Sequence, residues 1–222
     1  MARGPPIPKL LASRLSCIRN GQMVLRDINM TMHNGGGMIL TGPNGSGKTT
    51  FLRVLTGFLK PSAGHLLWNG HDVTNSSIYE LYKVELHWVG LKDAIKNKLS
   101  VVDNVEFWET LEGKSGRSRK ALEFMGLGHV MNEPAQVLSV GQRKRVQLAR
   151  LLAIPRPIWL LDEPSVGLDK DGVQKLEYIM EEHRRKGGMV FVATHVPIKL
   201  KDAMHLQFPP RILKSKTYMD LM

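Results

Sequence analysis

Residues 42–49 read Gly-Pro-Asn-Gly-Ser-Gly-Lys-Thr, and this spacing constrains the possible folds of the chain more than any other feature. The stretch follows a short apolar run, Gly37–Thr41, which is typical of a buried strand. It precedes a helical pattern, Thr50–Thr56, that ends at Gly57. Glycines let a backbone approach phosphate oxygens closely, and the N-terminus of the following helix adds partial positive charge. The order strand, glycine-rich loop, helix therefore predicts an α/β fold that binds a nucleoside triphosphate at this loop.

The glycine-rich loop supplies most of the candidate nucleotide ligands. Lys48 is expected to reach the β- and γ-phosphates and to take part in catalysis, and the Thr49 hydroxyl is expected to ligate Mg²⁺. The rest of the loop is expected to surround the phosphates. Its members are Gly42, Pro43, Asn44, Gly45, Ser46, Gly47 and Thr50.

Two further apolar runs end in polar residues suited to ATP hydrolysis. The run Ile158–Asp162 reads as a central parallel strand, whose carboxyl end delivers acids to a ligand crevice. Asp162 is expected to hold Mg²⁺, and Glu163 to act as the general base that polarises the attacking water. Another buried strand, Met189–Thr194, ends at His195, which we expect to contact the γ-phosphate and to act in catalysis.

A second anion site is predicted at Leu138–Gln142, which reads Leu-Ser-Val-Gly-Gln. Ser139 and Gln142 have the spacing of a capping box at the start of a helix over Arg143–Leu152, and Pro155 ends that helix. A capped helix N-terminus with a serine and a glycine exposed attracts anions. On these residues alone, the alternative of a capped helix that binds nothing is the favoured interpretation.

Composition limits the function classes. The 222 residues suit one globular domain, although length alone permits two. No stretch approaches the roughly 18 apolar residues of a membrane-spanning helix. A single cysteine, Cys17, excludes an internal disulfide framework. The net charge of +11 favours nucleic acid, an anionic membrane face or an acidic partner, and does not choose among them.

The pattern along the chain indicates two sections around the nucleotide-binding core. Alternating residues near 11–35, with Asn20-Gly21 and later Asn69-Gly70 as turns, predict an antiparallel β section. From about 93 to 150 the period becomes helical, and Ser100 begins a helix there. Residues 1–10 form a basic, proline-rich extension that hints weakly at mitochondrial targeting and leaves little room for a cleavable presequence.

The ordered set of phosphate loop, signature (Leu138–Gln142), paired acids and histidine resembles the ATP-binding-cassette (ABC) ATPases over essentially the whole chain. The resemblance implies a P-loop NTPase core with an antiparallel β subdomain and an inserted α-helical subdomain. It divides a single domain, residues 11–222, into a core (about 11–92 and 151–206) and a helical part (about 93–150). The cofactors implied are ATP and Mg²⁺.

In that family the site forms only when two copies meet. Ser139, Gly141 and Gln142 would then grip the γ-phosphate held by the opposite subunit. The stretch Gly167–Asp169 resembles the loop that connects the two sites, so Asp169 is included among the nucleotide-site residues.

Within that family the chain is similar to the ATPase subunits of cytochrome c maturation transporters, the haem exporter type. The similar stretches are Leu15–Arg19, Trp68–Gly70, Leu138–Arg145 and Gly187–Met189, and Trp88–Lys96 looks most like the plant mitochondrial branch. The resemblance implies an ATPase dimer bound peripherally to transmembrane subunits of the Ccm type. Its location would be the matrix face of the mitochondrial inner membrane or, alternatively, the cytoplasmic face of a bacterial inner membrane. ATP turnover would support haem delivery, through a haem chaperone, to apocytochrome c, and the transported species itself stays open.

Two positions depart from the family pattern. Where an aromatic ring usually stacks on adenine, this chain has Arg19, whose guanidinium can also stack on a base. Where a glutamine usually touches Mg²⁺ and the attacking water, the alignment places Lys92. Lysine beside Mg²⁺ would add like charge, so we expect Lys92 to reach phosphate or to point away, and a Lys92→Gln change to alter turnover.

Two other functions stay open at this point. The charge of +11 agrees with a soluble ABC ATPase that acts on nucleic acid, and the same cassette occurs in soluble ATPases of iron–sulfur cluster assembly. The span between the phosphate loop and the signature is too short for a long coiled coil, and one cysteine offers no zinc cluster. Nucleic acid is therefore the less expected partner.

Overall fold

The computed structural model describes residues 8–210, which form two β-sheets and six α-helices. The first sheet has four strands: β1 (Leu10–Arg19), β2 (Gln22–Met32), β4 (Ala63–Trp68) and β5 (His71–Asp72). They are antiparallel and are ordered β2-β1-β4-β5. The turns at Asn20-Gly21 and Asn69-Gly70 have φ values of 49°, 70°, 50° and 81°. Tight hairpin turns of this kind require positive φ at both central residues, so both predicted turns are confirmed.

The second sheet has five strands: β3 (Gly37–Thr41), β6 (Leu86–Val89), β7 (Ile158–Asp162), β8 (Met189–Ala193) and β9 (Met204–Gln207). They are all parallel and are ordered β6-β7-β8-β3-β9. Every residue of β7 and β8 is buried, as expected for a parallel sheet covered on both faces. The carboxyl ends of β3, β7 and β8 therefore open together on one crevice, which is where α/β proteins bind ligands.

Helices cover both faces of the parallel sheet. They are α1 (Lys48–Leu55), α2 (Ser76–Lys83), α3 (Val101–Leu111), α4 (Ser118–Phe124), α5 (Val140–Ala153) and α6 (Lys170–Arg185). One hydrophobic cluster joins α3, α4, α5 and α6 to one face of this sheet, and a second joins α1 and the antiparallel sheet to the other face. The chain thus has the P-loop α/β fold with the antiparallel and helical sections that the sequence predicts.

Local differences from the sequence predictions are small. Helix α1 begins at Lys48 and not at the predicted Thr50, so the last two residues of the glycine-rich motif already belong to the helix. At the start of α3, Ser100 accepts a hydrogen bond from the Asp103 backbone N–H, as expected of a cap. The Ser100 hydroxyl in turn donates a hydrogen bond to the Asp103 carboxylate at 2.5 Å.

The chain termini are described only in part. Residues 1–7 and 211–222 lie outside the described range, so most of the basic extension and of the C-terminal tail is not covered. The described part of the tail includes Phe208, which is buried and packs against Phe51 with ring centroids 5.8 Å apart. Within residues 8–210 no helix is both long and apolar enough to cross a membrane.

Candidate active site

A cavity of about 670 Å³, here called the nucleotide cavity, lies at the carboxyl ends of the parallel strands. It brings together residues from the first hairpin, the glycine-rich loop and the ends of β7 and β8. Of the residues that the sequence predicts, the following line it: Arg19, Asn44, Gly45, Gly47, Lys48, Thr49, Thr50, Asp162, Glu163 and His195. Side chains separated by up to 176 positions in the chain therefore share one site.

The glycine-rich loop has the backbone that its sequence requires. Gly42 and Gly47 have φ values of 141° and 114°, which side-chain-bearing residues rarely adopt. A Cβ atom on Gly42 would also lie 2.5 Å from the Phe208 carbonyl oxygen. Lys48 is almost fully buried, and its ammonium donates hydrogen bonds to the carbonyl oxygens of Gly42 at 2.7 Å and Pro43 at 3.1 Å. The loop therefore curls around the lysine that is expected to reach the phosphates.

Thr49 and Asp162 form the pair expected to hold Mg²⁺. The Thr49 hydroxyl donates to Asp162 Oδ2 at 2.8 Å, although 113 positions separate the two residues. Burial raises the pKa of the Asp162 carboxyl, the Thr49 hydrogen bond opposes that rise, and the neighbouring Glu163 adds to it. Mg²⁺ in phosphate sites is commonly held by one or two protein oxygens together with water and phosphate oxygens. The two oxygens fit that requirement, and a cation there would favour the ionised form of the buried carboxyl.

Glu163 and His195 lie side by side at the ends of neighbouring strands. His195 Nδ1 is 2.9 Å from Glu163 Oε2, and the His195 backbone N–H donates to the same oxygen at 3.4 Å. Glu163 has a positive φ of 49°, and its backbone N–H donates to the Ala193 carbonyl at 2.8 Å. The strained backbone and the two contacts aim the carboxylate into the crevice, where it can accept a proton from water.

The two departures from the family pattern lie in different places. Arg19 ends β1, is exposed, and lines the nucleotide cavity beside Gln22 and Val24 of the same hairpin. Lys92 is also exposed but lines a neighbouring cavity of about 140 Å³, whereas Leu91 lines the nucleotide cavity. The structure thus brings Arg19 to the site and does not bring Lys92 there.

The signature residues form a separate surface. Ser139 caps α5 in a full capping box with Gln142, with hydrogen bonds of 3.2 Å and 2.9 Å, as predicted. Gly141 lies against Gly167, whose carbonyl oxygen would be 2.6 Å from an added Cβ. Asp169 caps α6 by accepting from the Gly172 N–H at 2.8 Å. In the described part of the chain, the nucleotide cavity is not lined by any of the three signature residues or by Asp169.

Sequence reasoning missed several residues that build these surfaces. Gln22, Val24 and Val166 line the nucleotide cavity because of how the hairpin and the loop after β7 pack, and no local motif marks them. Arg145 was likewise missed. Its guanidinium pairs with Asp169 at 2.5 Å and thereby ties the signature helix to the loop before α6.

Comparison with known proteins agrees with this geometry. A family profile described as ABC transporter matches residues 25–166. The Arabidopsis thaliana protein named ABC transporter I family member 1 is 59% identical over 99% of this chain and 96% of its own length. The cytochrome c biogenesis ATP-binding export protein CcmA of Paramagnetospirillum magneticum is 42% identical over 88% of this chain and 91% of its own length. Among solved structures, an ATP-binding cassette of an ABC transporter in its ADP conformation matches with a TM-score of 0.72 at 25% identity, over 86% of this chain and 83% of that one.

Proposed function

The chain belongs to the family of ABC transporter ATP-binding subunits, and from that premise we propose that it hydrolyses ATP for a membrane complex of c-type cytochrome biogenesis. The observation that carries the hydrolysis is the meeting of Glu163 and His195, 2.9 Å apart, in the same cavity as the glycine-rich loop. The cytochrome c assignment is supported by the similarity, at about 40% identity, to bacterial proteins named CcmA.

Each protein group in the nucleotide cavity has a distinct task in hydrolysis. The loop and Lys48 bind the phosphates, and Glu163 takes the proton of the attacking water while His195 holds its carboxylate in place. Thr49 and Asp162 would hold Mg²⁺, which when bound neutralises charge on the β- and γ-phosphates. The low exposure of Glu163, 13% of its side chain, limits competition from bulk water for this carboxylate.

The position of the signature surface supports a dimer. Ser139, Gly141 and Gln142 present a capped helix N-terminus outside the nucleotide cavity of their own chain. We infer that they contact the γ-phosphate bound by a second copy or a homologue, as in ATP-binding cassettes generally. The contact between Gly141 and Gly167 and the Arg145–Asp169 ion pair would then join the signature of one site to the loop leading from the acids of the other.

We further propose transmembrane subunits of the Ccm type as partners and haem delivery as the supported process. The proposed location is the matrix face of a mitochondrial inner membrane, with the cytoplasmic face of a bacterial inner membrane as the alternative. The proposed division of the domain follows the same comparison, with a core over about 11–92 and 151–206 and a helical part over about 93–150. The helical part would carry opening and closing of the dimer to the membrane partner.

The test is capture of the partner in the ATP-bound state. A tagged Glu163→Gln variant, incubated with Mg-ATP, would be purified from detergent-solubilised membranes and its partners identified by mass spectrometry. We expect a multi-span membrane subunit together with cytochrome c maturation factors. A Lys48→Ala variant is the matched control, because it should lose ATP and with it the ATP-dependent part of the capture.

Other partners would contradict the cytochrome c assignment. Recovery of nucleic-acid-bound proteins or iron–sulfur scaffold proteins, with no membrane subunit, would leave only the ATPase assignment. Recovery of a membrane subunit without cytochrome c maturation factors would retain the transporter and exclude this pathway.

A further inference from the structure

An arginine in the first turn of the signature helix joins three separate segments of the chain. Arg143 belongs to α5 and directly follows Gln142 of the signature. Its Nε–H donates to Asp93 Oδ2 at 2.5 Å. Its Nη1 donates to Asn97 Oδ1 at 3.0 Å and to the Ala135 carbonyl oxygen at 3.1 Å. The rigid fork of donors in a guanidinium suits this task, because it can hold several acceptors in fixed directions.

The main partner of this arginine lies on a loop that borders the nucleotide site. Asp93 is part of the β6–α3 loop, residues 90–100, and Leu91 of the same loop lines the nucleotide cavity. Arg143, in turn, is the next residue after Gln142. A short path of contacts therefore runs from the nucleotide cavity of this chain, through the Asp93–Arg143 ion pair, to its own signature surface.

The acceptors of Arg143 on the β6–α3 loop are themselves held in place. Asp93 Oδ1 accepts from the Ile95 backbone N–H at 3.2 Å, and the Asn97 carbonyl oxygen accepts from the Gln136 N–H at 3.1 Å. Partial burial raises the pKa of the Asp93 carboxyl, but the hydrogen bonds and positive charge around it outweigh burial and hold that pKa below its ordinary value. The carboxylate is therefore ionised near pH 7, and its bond to the guanidinium is charge-assisted.

This ion pair differs from the surface pairs of the protein. The side chain of Arg143 is 22% exposed and that of Asp93 is 32% exposed, and the two residues are 50 positions apart in the chain. Arg185 and Glu182, by contrast, pair within one turn of α6, and the arginine is 70% exposed. Exposed pairs of that kind contribute little. The Asp93–Arg143 pair, in contrast, fixes the start of α5 relative to a distant loop.

We propose that Asp93 and Arg143 are positioning residues that preset the signature surface for the ATP of the opposite subunit. The inference rests on the dimer under the proposed function, and it names residues that prepare the interface of that dimer. Neither residue lines the nucleotide cavity. With the pair intact, the start of α5 keeps one orientation relative to the cavity, so less conformational freedom is lost when two chains meet. Without the pair, the same surface has to be ordered during assembly.

Assembly of the ATP-bound dimer tests this role. Each change is made in the Glu163→Gln background, which should hold ATP without turnover, and sedimentation at saturating Mg-ATP gives the dimer dissociation constant. Asp93→Asn and Arg143→Gln should each raise this constant roughly fivefold, a size typical of side chains in contact. The double variant should be no weaker than Arg143→Gln alone, because the second change removes a contact that is already lost. The Kd of ATP, measured at protein concentrations too low for dimers, should stay unchanged.

Matched variants separate positioning from loss of charge. Arg143→Lys keeps the charge without the rigid fork, so its dimer dissociation constant should lie between those of Arg143→Gln and the parent. Glu182→Gln and Arg185→Gln make the same charge changes in the exposed pair of α6 and should leave the constant unchanged. Three results would overturn the proposal: unchanged dimer constants in the two pair variants, losses that add fully in the double variant, or a weakened Kd of ATP at low protein concentration.

Failure of this role can be distinguished from failure of the proposed dimer. If the Glu163→Gln parent does not dimerise with Mg-ATP, the dimer is rejected and the positioning role with it. If the parent dimerises and the pair variants dimerise equally well, only the positioning role is rejected. If circular dichroism shows that Arg143→Gln is unfolded, Asp93→Asn, which preserves the shape of the side chain, decides alone.

Discussion

The imidazole Nδ1 of His195 lies 2.9 Å from Oε2 of Glu163, so a residue that follows β8 holds the carboxylate that follows β7. The two strands are parallel neighbours with Asp162 opposite Ala193. Residues after these positions therefore leave the sheet side by side, and the sheet register places base and histidine together. Activity should depend on this pair as a unit.

Replacement of Glu163 by Gln should abolish the proton transfer and preserve shape. We expect turnover to fall by roughly 10²–10⁴-fold, the usual contribution of general base catalysis, while ATP binding is retained. Phosphate release measures turnover. Nucleotide titration measures ATP binding, and size-exclusion chromatography detects an ATP-stabilised dimer. Turnover near that of the unmodified protein would remove Glu163 from the role of general base.

Replacement of His195 by Ala should release the Glu163 carboxylate from its orientation. We expect turnover to fall about 10–100-fold with little change in ATP affinity, since the histidine acts partly through the base. In the double variant with Glu163→Gln the losses should not add, because the two groups work together. Fully additive losses would mean that His195 acts independently of Glu163.

Replacement of Arg19 by Ala tests whether the guanidinium stacks on adenine. Arg19 lines the nucleotide cavity from the end of β1, and stacking at an exposed site contributes about 0.5–1 kcal/mol, or roughly two- to fivefold in Kd. Arg19→Trp should retain affinity. Arg26→Ala makes the same charge change on β2 outside the cavity and serves as the control. Unchanged ATP affinity in Arg19→Ala would reject stacking.

Replacement of Lys92 by Gln tests whether this residue has the role expected from its aligned position or the peripheral location found in the structure. The sequence aligns Lys92 with a glutamine that usually touches Mg²⁺ and the attacking water, and it predicts that Lys92 reaches phosphate or points away and that the change alters turnover. In the structure Lys92 is exposed and lines a different cavity, so we now expect ATP affinity and basal turnover to stay unchanged. Lys48→Gln, measured alongside, should lose affinity strongly. A marked change in Lys92→Gln would show that this loop reaches the nucleotide when two chains meet.

Stability should fall on acidification because two histidines are buried in the neutral form. Burial lowers the pKa of His87 to about 3 and that of His183 to about 4. The unfolded chain, with an ordinary pKa near 6.5, binds more protons below that pH, so the free energy of unfolding decreases as pH falls. The decrease should approach about 1.4 kcal/mol per pH unit for each histidine and level off for His183 near pH 4.

Urea unfolding between roughly pH 7.5 and pH 5 measures this dependence. His183→Gln should reduce the slope of the unfolding free energy against pH by the equivalent of about one bound proton. His33→Gln, at an exposed position, should leave this slope unchanged. A slope that is the same in both variants would show that His183 does not carry this dependence.

Much of the site was predictable because its chemistry is local. The glycine spacing of residues 42–47, the acids after β7 and the capping box at Ser139 each depend on a few neighbouring residues, and the structure forms the loop, the strand and the cap where the sequence predicts them. Lys92 was harder to place, since its position depends on the path of a loop in which Ala94 takes a positive φ of 52°.

The sequence by itself determined the glycine-rich loop, the strand that ends at Asp162, the capped start of the signature helix and the family to which the chain belongs. Tertiary structure alone decided which ends meet: the sheet order β6-β7-β8-β3-β9, the contact of Glu163 with His195, and the Arg145–Asp169 ion pair between the signature helix and the next loop. The physical reason is the range of the forces involved. Turn geometry, capping and strand periodicity are set by neighbours along the chain, whereas sheet order and cavities are set by packing between distant segments.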